Sequence, residues 1–186
     1  MSQICDSCPL RLFNDKCHCL TGVGNPNYGK LIVVPNVDYD AYKNKGMTFS
    51  TYVEIIEEEL SSSTGGITDY YVVPLVRCKL TDKCPITKRI VLNCYTHTYK
   101  DIIDNNFRKI LLLGDAAKII GVTNIANEIN NIYISNDVHL RGYSVNYSPF
   151  IKYVDDNKYE TFRYNLIKWY NASKDNNYNG YNIIVK

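Results

Sequence analysis

The segment Lys30-Leu-Ile-Val-Val-Pro35 is a short, unbroken apolar run. A run of this length is typical of a β-strand that is buried on both faces. Two similar runs follow along the chain, at Asp69–Val76 and Lys109–Leu113. Three such strands, separated by longer segments of a different pattern, favour a parallel sheet whose strands are joined by crossover connections.

Helices are predicted between these runs. Ser50 is placed to cap a helix that continues to about Leu60, and the turn-forming segment Ser61–Gly66 ends it. Pro85 can occupy the first turn of a second helix that extends to about Asp104. The remaining predicted elements are a short helix within Gly114–Gly121, weaker strands at about Ile132–Ser135 and Tyr143–Asn146, and a closing helix at about Lys158–Tyr170.

Strands that alternate with helices predict a three-layer α/β/α sandwich with a mostly parallel central sheet. We read residues 1–186 as one domain, with a cysteine-rich segment at 1–29. In such folds, the functional site lies beyond the carboxyl ends of the strands. We therefore expect residues 35–49, 74–84, 114–115 and 146–150 to lie at one edge of the sheet.

The composition is that of a globular protein: 186 residues, 45% hydrophobic and 22% charged. No apolar run reaches the roughly 18–20 residues that would span a bilayer, which excludes an integral membrane protein. Met1–Leu10 lacks a basic segment followed by an apolar one, so we expect no secretory signal and an intracellular, cytoplasmic location. The net charge of +2 permits DNA binding without requiring it.

Seven cysteines are unusual for a chain expected in a reducing compartment. They are Cys5, Cys8, Cys17, Cys19, Cys78, Cys84 and Cys94. The odd number argues against a closed set of disulfides, and clustered thiols favour metal ligands or a redox pair. The spacing of the cysteines alone is compatible with three interpretations. The first is an iron–sulfur cluster, and the second is a zinc site made by Cys5, Cys8, Cys17 and Cys19 or His18. The third is a set of buried thiols without a ligand role.

Several local signatures occur together between residue 5 and about residue 120. The first two are Cys5-Asp-Ser-Cys8-Pro-Leu10 and Gly22-Val-Gly24-Asn25-Pro26-Asn27. The third is Arg77-Cys78-Lys79-Leu80, followed by Pro85 and by Cys94, with fifteen residues between Cys78 and Cys94. The fourth is Leu113-Gly114-Asp-Ala-Ala117. In these features the chain resembles the family 4 uracil-DNA glycosylases, the iron–sulfur branch of the uracil-DNA glycosylase superfamily. The resemblance implies that fold, and a [4Fe-4S] cluster held by Cys5, Cys8, Cys78 and Cys94.

The positions that carry base excision in this family depart from its pattern. Aligning the family's strand-end motif places Asn36 where a glutamate is expected, and Pro74 where an asparagine reads uracil. The histidine of a late His-Pro-Ser motif is missing near Tyr147-Ser148-Pro149. Losses of this kind cost about 10²–10³ in rate per preorganised group, so an efficient enzyme of the usual kind is not expected.

The resemblance therefore implies two candidate functions. The first is a DNA-binding accessory factor of replication, in the manner of some viral superfamily members, with a polymerase or another replication protein as partner. The second is an active glycosylase that removes uracil or a modified base, using Asn36 and Tyr147, with Phe49 stacking on the base. Phe49 could instead be a core residue. A third reading is a protein-interaction module that no longer contacts DNA.

The DNA contacts are expected at two loops. The segment Asn146–Lys152 corresponds to the loop that family members insert into the minor groove, and an aromatic flanked by polar and basic residues suits that role. The candidate contacts on the two loops are Lys79, Lys83, Arg141, Ser148, Phe150 and Lys152. Lysine and arginine side chains would bind phosphates there.

Overall fold

The structure is a computed structural model. It describes residues 3–6, 8–12, 19–64, 69–82, 84–107, 109–114, 131–134, 144–148, 156–171 and 182–185. The strands are β1 (Val23–Gly24), β2 (Lys30–Val37), β3 (Tyr71–Lys79), β4 (Lys109–Leu113), β5 (Asn131–Ile134), β6 (Ser144–Ser148) and β7 (Asn182–Val185). The helices are α1 (Gln3–Asp6), α2 (Pro9–Leu12), α3 (Tyr39–Lys43), α4 (Thr51–Thr64), α5 (Lys88–Asp104) and α6 (Asp156–Asn171), with 3₁₀ turns at Pro26–Tyr28 and Met47–Phe49.

The strands form one mixed sheet in the order β1-β3-β2-β4-β6-β5-β7. The four neighbouring strands β3, β2, β4 and β6 are mutually parallel, while β1 and β5 run antiparallel to their neighbours β3 and β6. The carboxyl ends of the four parallel strands therefore meet at one edge. Val37 pairs with Lys79 there, and Leu113 pairs with Ser148.

Alternate residues of the buried strands pack against different helices. Leu31, Val33 and their neighbours contact a core that includes α5 and the cysteine-rich start of the chain. Ile32, Val34 and their neighbours contact a second core made with α4 and α6. Side chains of period two on a two-sided sheet produce this division. The result is a mixed α/β protein with a mostly parallel sheet and helices on both faces, an arrangement compatible with an α/β sandwich.

Two helix boundaries differ from the sequence prediction. Helix α4 continues to Thr64 instead of stopping at Ser61, and the Ser61 hydroxyl donates to the Glu58 carbonyl at 2.7 Å, a bond that serine makes within helices. Helix α5 begins at Lys88 rather than Pro85, because the Thr87 side chain accepts a hydrogen bond from the Ile90 amide at 3.3 Å.

The predicted loop at 36–49 contains the short helix α3. Asp38 caps it, since one carboxylate oxygen accepts from the Ala41 amide at 2.9 Å. The other oxygen accepts from the Ser50 hydroxyl, and Ser50 Oγ in turn accepts from the Tyr52 amide at 3.2 Å at the start of α4. Asp38 thus joins the beginnings of two helices at the edge of the sheet.

We expect Asp38→Ala to lower the free energy of unfolding by about 1–2 kcal/mol, because it removes a helix cap and leaves Ser50 without its acceptor. Asp40→Ala is the matched control. Asp40 is exposed and accepts a bond from Thr51 Oγ1 at 3.1 Å, so its loss should cost less than about 0.5 kcal/mol. Urea denaturation measures both. Equal effects of the two variants would contradict the role given to Asp38.

No helix in the described part of the chain is long and apolar enough to cross a membrane. The predicted helix within Gly114–Gly121 falls at 115–121, outside the described residues.

Candidate functional site

Five cysteines from three separate parts of the chain line one cavity of about 30 Å³. We call it the thiol cavity; its lining residues are Cys5, Cys8, Arg11, Cys19, Cys78, Asn93, Cys94 and His97. The set contains the four positions that the family resemblance assigns to an iron–sulfur cluster. The structure thus brings Cys5, Cys8, Cys78 and Cys94 together.

The first two thiols are positioned by a turn between two short helices. The Cys8 amide donates to the Cys5 carbonyl at 3.2 Å, and the Arg11 amide donates to the Cys8 carbonyl at 3.0 Å. Leu10, between them, is only 1% exposed and packs in the core on the α5 side of the sheet. Burial of this leucine fixes the cysteine-rich start against the sheet, and a C-x-x-C turn directs both thiols to one side.

A bulge in β3 positions the third thiol. Asn36 of β2 pairs with Val76, but the next residue, Val37, pairs with Lys79, so β3 carries two extra residues at this point. The extra residues are Arg77 and Cys78. Bulges re-aim side chains and release backbone groups from the ladder. At this bulge, the amide and the carbonyl of Arg77 are released from the ladder and can bind partners outside the sheet.

Both backbone groups of Arg77 have partners outside the sheet. Its carbonyl accepts from the Leu20 amide at 2.8 Å, and its amide donates to the Cys94 thiol. The first bond holds Cys19 next to Cys78. The Arg77 side chain is 5% exposed and forms an ion pair with Asp101 on α5. The bulge therefore links the loop before β1, strand β3 and helix α5.

Helix α5 supplies the remaining wall. Asn93, Cys94 and His97 lie at spacings of one and three residues, which places them on neighbouring positions of one helix side. His97 Nε2 is 3.2 Å from Cys5 Sγ. Burial lowers the pKa of His97, and the nearby Arg77 charge lowers it further, so the neutral imidazole is favoured. A neutral imidazole can donate to a thiolate or bind a metal.

Two thiols of the cavity differ in acidity. The hydrogen bond from Cys78 is the largest influence on Cys19 and lowers its pKa from 9.0 to about 7, with burial opposing and Arg77 assisting. Burial raises the pKa of Cys94 to about 12. A thiolate therefore forms readily at Cys19, whereas Cys94 loses its proton only when a positive partner binds it.

In the metal-free protein, we expect iodoacetamide to alkylate Cys19 with a rate that rises through a midpoint near pH 7. The thiolate is the reactive form, so the rate is low below that pH and reaches its plateau about one unit above it. Peptide mass spectrometry measures the rate at each cysteine. Cys94 serves as the internal control and should stay unmodified through pH 9, and a Cys19 midpoint near 9 would contradict the assignment.

The chemistry of the donor set fits an iron–sulfur cluster. Thiolates are its usual ligands, and hydrogen bonds to the sulfurs tune it. Asn93, on the wall of the thiol cavity, has a buried Nδ2 without a hydrogen-bond partner among the described residues, as does Arg77 at its buried Nε. Buried donors of this kind are rare and suit a negatively charged group beside them. Within the described residues no three histidine, cysteine, aspartate or glutamate side chains are arranged to hold a single metal ion.

The remaining cysteines lie in different surroundings. Cys84 is 5% exposed and packs in the core beside Cys8, and burial raises its pKa, with the Cys8 charge adding to the effect. It does not line the thiol cavity. Cys17 and His18, which the zinc alternative requires, lie outside the described residues. Cys19 was predicted only as a ligand of the zinc alternative. His97 and Asn93 were not predicted as site residues, although their spacing from Cys94 was an available signal.

A second candidate region lies at the carboxyl edge of β2 and β3. Tyr39 is 61% exposed and Phe49 is 57% exposed. Phe49 is therefore a surface residue, and the alternative prediction that it belongs to the core is wrong. Lys79 Nζ lies 5.0 Å from the ring centroids of both Tyr39 and Tyr42, a cation–π distance. Exposed lysines at 43 and 45 follow in the same segment, as does the exposed Asp40. We call this group the aromatic edge; it consists of Tyr39, Asp40, Tyr42, Lys43, Lys45, Phe49 and Lys79.

Asn36 lies at this edge and uses its amide nitrogen within the protein. The nitrogen donates to the Val37 carbonyl at 2.9 Å. Asn36 also hydrogen-bonds the Tyr52 side chain, whose pKa is raised by burial and by Asp38 and lowered by this bond. These bonds fix the orientation of the amide. Its carbonyl oxygen is the group that could position a water molecule.

Pro74, which the resemblance aligns with a uracil-reading asparagine, lies in the interior of β3. Pro74 is buried and pairs with Val34. Its missing N–H is tolerated because β1 pairs with β3 only at Tyr71 and Val72, so β3 has a ladder on one side alone at residue 74. The site therefore contains no donor here for a base edge.

The remaining predicted contacts are described only in part or not at all. Tyr147 and Ser148 lie in β6, where they pair with Leu112 and Leu113 at the carboxyl edge of the sheet. Lys83, Arg141, Phe150 and Lys152 lie outside the described residues, as does Pro149.

No protein-family model matches the chain, and no curated protein matches it.

Proposed function

We propose that the chain is a DNA-associated protein of the uracil-DNA glycosylase fold, with a [4Fe-4S] cluster and a degenerate base-excision site, that acts as an accessory factor in DNA replication. The observation that carries the proposal is the thiol cavity, because residues 5, 8, 78 and 94 reach it from the start of the chain, a β-bulge and a helix. Those are the ligand positions that the sequence resemblance assigns.

The role proposed for the cluster is structural. Cys5, Cys8, Cys78 and Cys94 would hold it, and it would supply a covalent connection between the cysteine-rich start, β3 and α5. Cross-links that close long loops stabilise mainly by restricting the unfolded chain. The unpartnered Asn93 nitrogen on the cavity wall would donate to one of its sulfurs, which compensates part of its negative charge.

The aromatic edge supports DNA association. Exposed aromatic rings beside lysines provide stacking surfaces and phosphate contacts, the combination found in proteins that bind single strands. The net charge of +2 is small, so binding would depend on this local arrangement and not on a general positive field. A DNA-binding face with Pro74 in place of a base-reading side chain favours an accessory role over catalysis.

A working glycosylase is the second candidate, and the fixed orientation of the Asn36 amide favours it. An oriented amide oxygen could hold the attacking water, while Phe49 stacks on an extruded base. In this reading the enzyme would have an altered substrate preference, because Pro74 offers no hydrogen bond to a base.

A single experiment separates these functions. Protein purified without oxygen is incubated with single-stranded and duplex DNA, with and without uracil, and both binding and abasic sites are measured. Salt-dependent binding without excision supports the accessory role. Abasic sites that disappear in Asn36→Ala would establish the glycosylase instead. Protein that carries iron but binds no DNA would indicate a protein-interaction module.

A further inference from the structure

We propose that Cys19 is an alternative ligand for the position held by Cys78, so that the two thiols can exchange at one iron. The inference rests on the proposed cluster and extends it, since the resemblance assigns four cysteines and the thiol cavity contains five.

The first argument is the backbone. The Leu20 amide donates to the Arg77 carbonyl at 2.8 Å, which places Cys19 and Cys78 side by side as the residues adjoining that bond. Leu20 is 6% exposed and packs in the core on the α4 side of the sheet, so this loop is anchored by burial. The nearness of the two thiols therefore follows from the path of the chain.

The second argument is the direction of the thiols. Cys19 and Cys78 form a side-chain hydrogen bond, and both line the thiol cavity. Two sulfurs that line one cavity beside the same backbone hydrogen bond can reach the same iron with only a side-chain rotation, because rotamer changes move a thiol by a few ångströms. Exchange requires that Cys19 release its proton to solvent as its sulfur binds and that Cys78 take up a proton as it leaves.

The third argument is the contrast with the remaining extra thiol. Cys84 lies beside Cys8 but is buried in the core and does not line the cavity. Its amide is held by the Thr81 carbonyl at 2.9 Å. Cys84 therefore has no comparable path to the metal. Of the described extra thiols, Cys19 alone combines an exposed position with a place in the cavity wall.

The test compares iron and acid-labile sulfide in four proteins purified without oxygen: wild type, Cys78→Ala, Cys8→Ala and the double variant Cys19→Ala/Cys78→Ala. We expect Cys78→Ala to retain most of the iron of the wild type. Cys8→Ala, which has no cavity-lining thiol to replace it at its own turn, and the double variant should each lose iron by about tenfold or more. Equal losses in Cys78→Ala and Cys8→Ala would overturn the proposal.

A second measurement uses the unaltered protein, so that it does not depend on the folding of a variant. Iron-loaded wild type is alkylated slowly, and each cysteine is quantified by peptide mass spectrometry. Exchange predicts labelling at both Cys19 and Cys78, with fractions that sum to about one, while Cys8 and Cys94 stay protected. Labelling confined to Cys19 would overturn the exchange. A wild-type protein that contains no iron or sulfide would refute the cluster itself, and the exchange with it.

Discussion

Replacing Cys94 by alanine is expected to remove nearly all of the iron from the protein. The thiol of Cys94 comes from α5, which lines the thiol cavity and packs in the core on that side of the sheet. Without it, the proposed cluster would no longer connect α5 to the cysteine-rich start. We expect iron to fall from about four atoms per chain to less than about a tenth of that value.

The same variant should lose stability. The cross-link between residues 5, 8, 78 and 94 closes loops of tens of residues, and its loss should lower the free energy of unfolding by about 3–5 kcal/mol. Iron and sulfide analysis, together with denaturant unfolding followed by circular dichroism, measures both effects.

Cys84→Ala is the matched control for Cys94→Ala. Cys84 is as buried as Cys94, at 5% and 6% exposure, and belongs to the same core, but it does not line the thiol cavity. Its replacement should leave the iron content unchanged and cost about 1 kcal/mol from lost packing. Iron lost from Cys84→Ala and kept in Cys94→Ala would show that the ligand set has been assigned incorrectly.

Replacing Tyr39 by alanine is expected to weaken the binding of a single-stranded oligonucleotide about tenfold. Stacking of a base on an aromatic side chain contributes about 1–3 kcal/mol, and Tyr39 has the largest exposed fraction at the aromatic edge. Lys79 should act differently. As a phosphate contact, its replacement by alanine should reduce the dependence of affinity on salt by roughly one counterion. Fluorescence anisotropy over a range of salt concentrations measures both.

Tyr164→Ala is the control for Tyr39→Ala, because it has the same chemistry in a different place. Tyr164 is 54% exposed, and Lys168 Nζ lies 5.4 Å from its ring centroid, but it is located on α6, on one face of the sheet. We expect an affinity within about twofold of the wild type, as for a surface change away from the site. A tenfold loss in Tyr164→Ala would mean that α6 carries the DNA-binding surface.

The sequence predicted those elements whose cause is local. The strands around Lys30–Pro35 and Lys109–Leu113 are unbroken apolar runs, and the structure confirms both, as it confirms the parallel sheet. The start of α4 after Ser50 also follows from a local capping bond. The start of α5 was placed three residues early, since Pro85 and Thr87 are both acceptable at a helix start and the choice depends on which side chain finds a partner.

Other features depend on contacts between distant residues and carry no local signal. The bulge at Arg77 and Cys78 depends on partners from two other segments: Leu20 in the loop before β1, and Cys94 and Asp101 on α5. Strand β1 has only two residues and exists by pairing with β3. The place of Cys19 in the thiol cavity depends on the hydrogen bond from the Leu20 amide to the Arg77 carbonyl. The spacing of cysteines in the sequence can identify two ligands within one turn. It cannot identify a thiol that a distant loop places beside them.

The central sheet divides the apolar interior into two separate compartments, and this division determines how the protein should respond to demetallation. The compartment with α5 contains three of the thiols proposed to bind iron, Cys8, Cys78 and Cys94, whereas the compartment with α4 and α6 contains no cysteine among its described residues. Removing the inorganic group should therefore speed amide hydrogen exchange in α5, while the amides of α4 and α6 stay protected. The iron-free protein would then keep the layer of α4 and α6 folded while the layer of α5 opens locally. Iron binding would complete its folding.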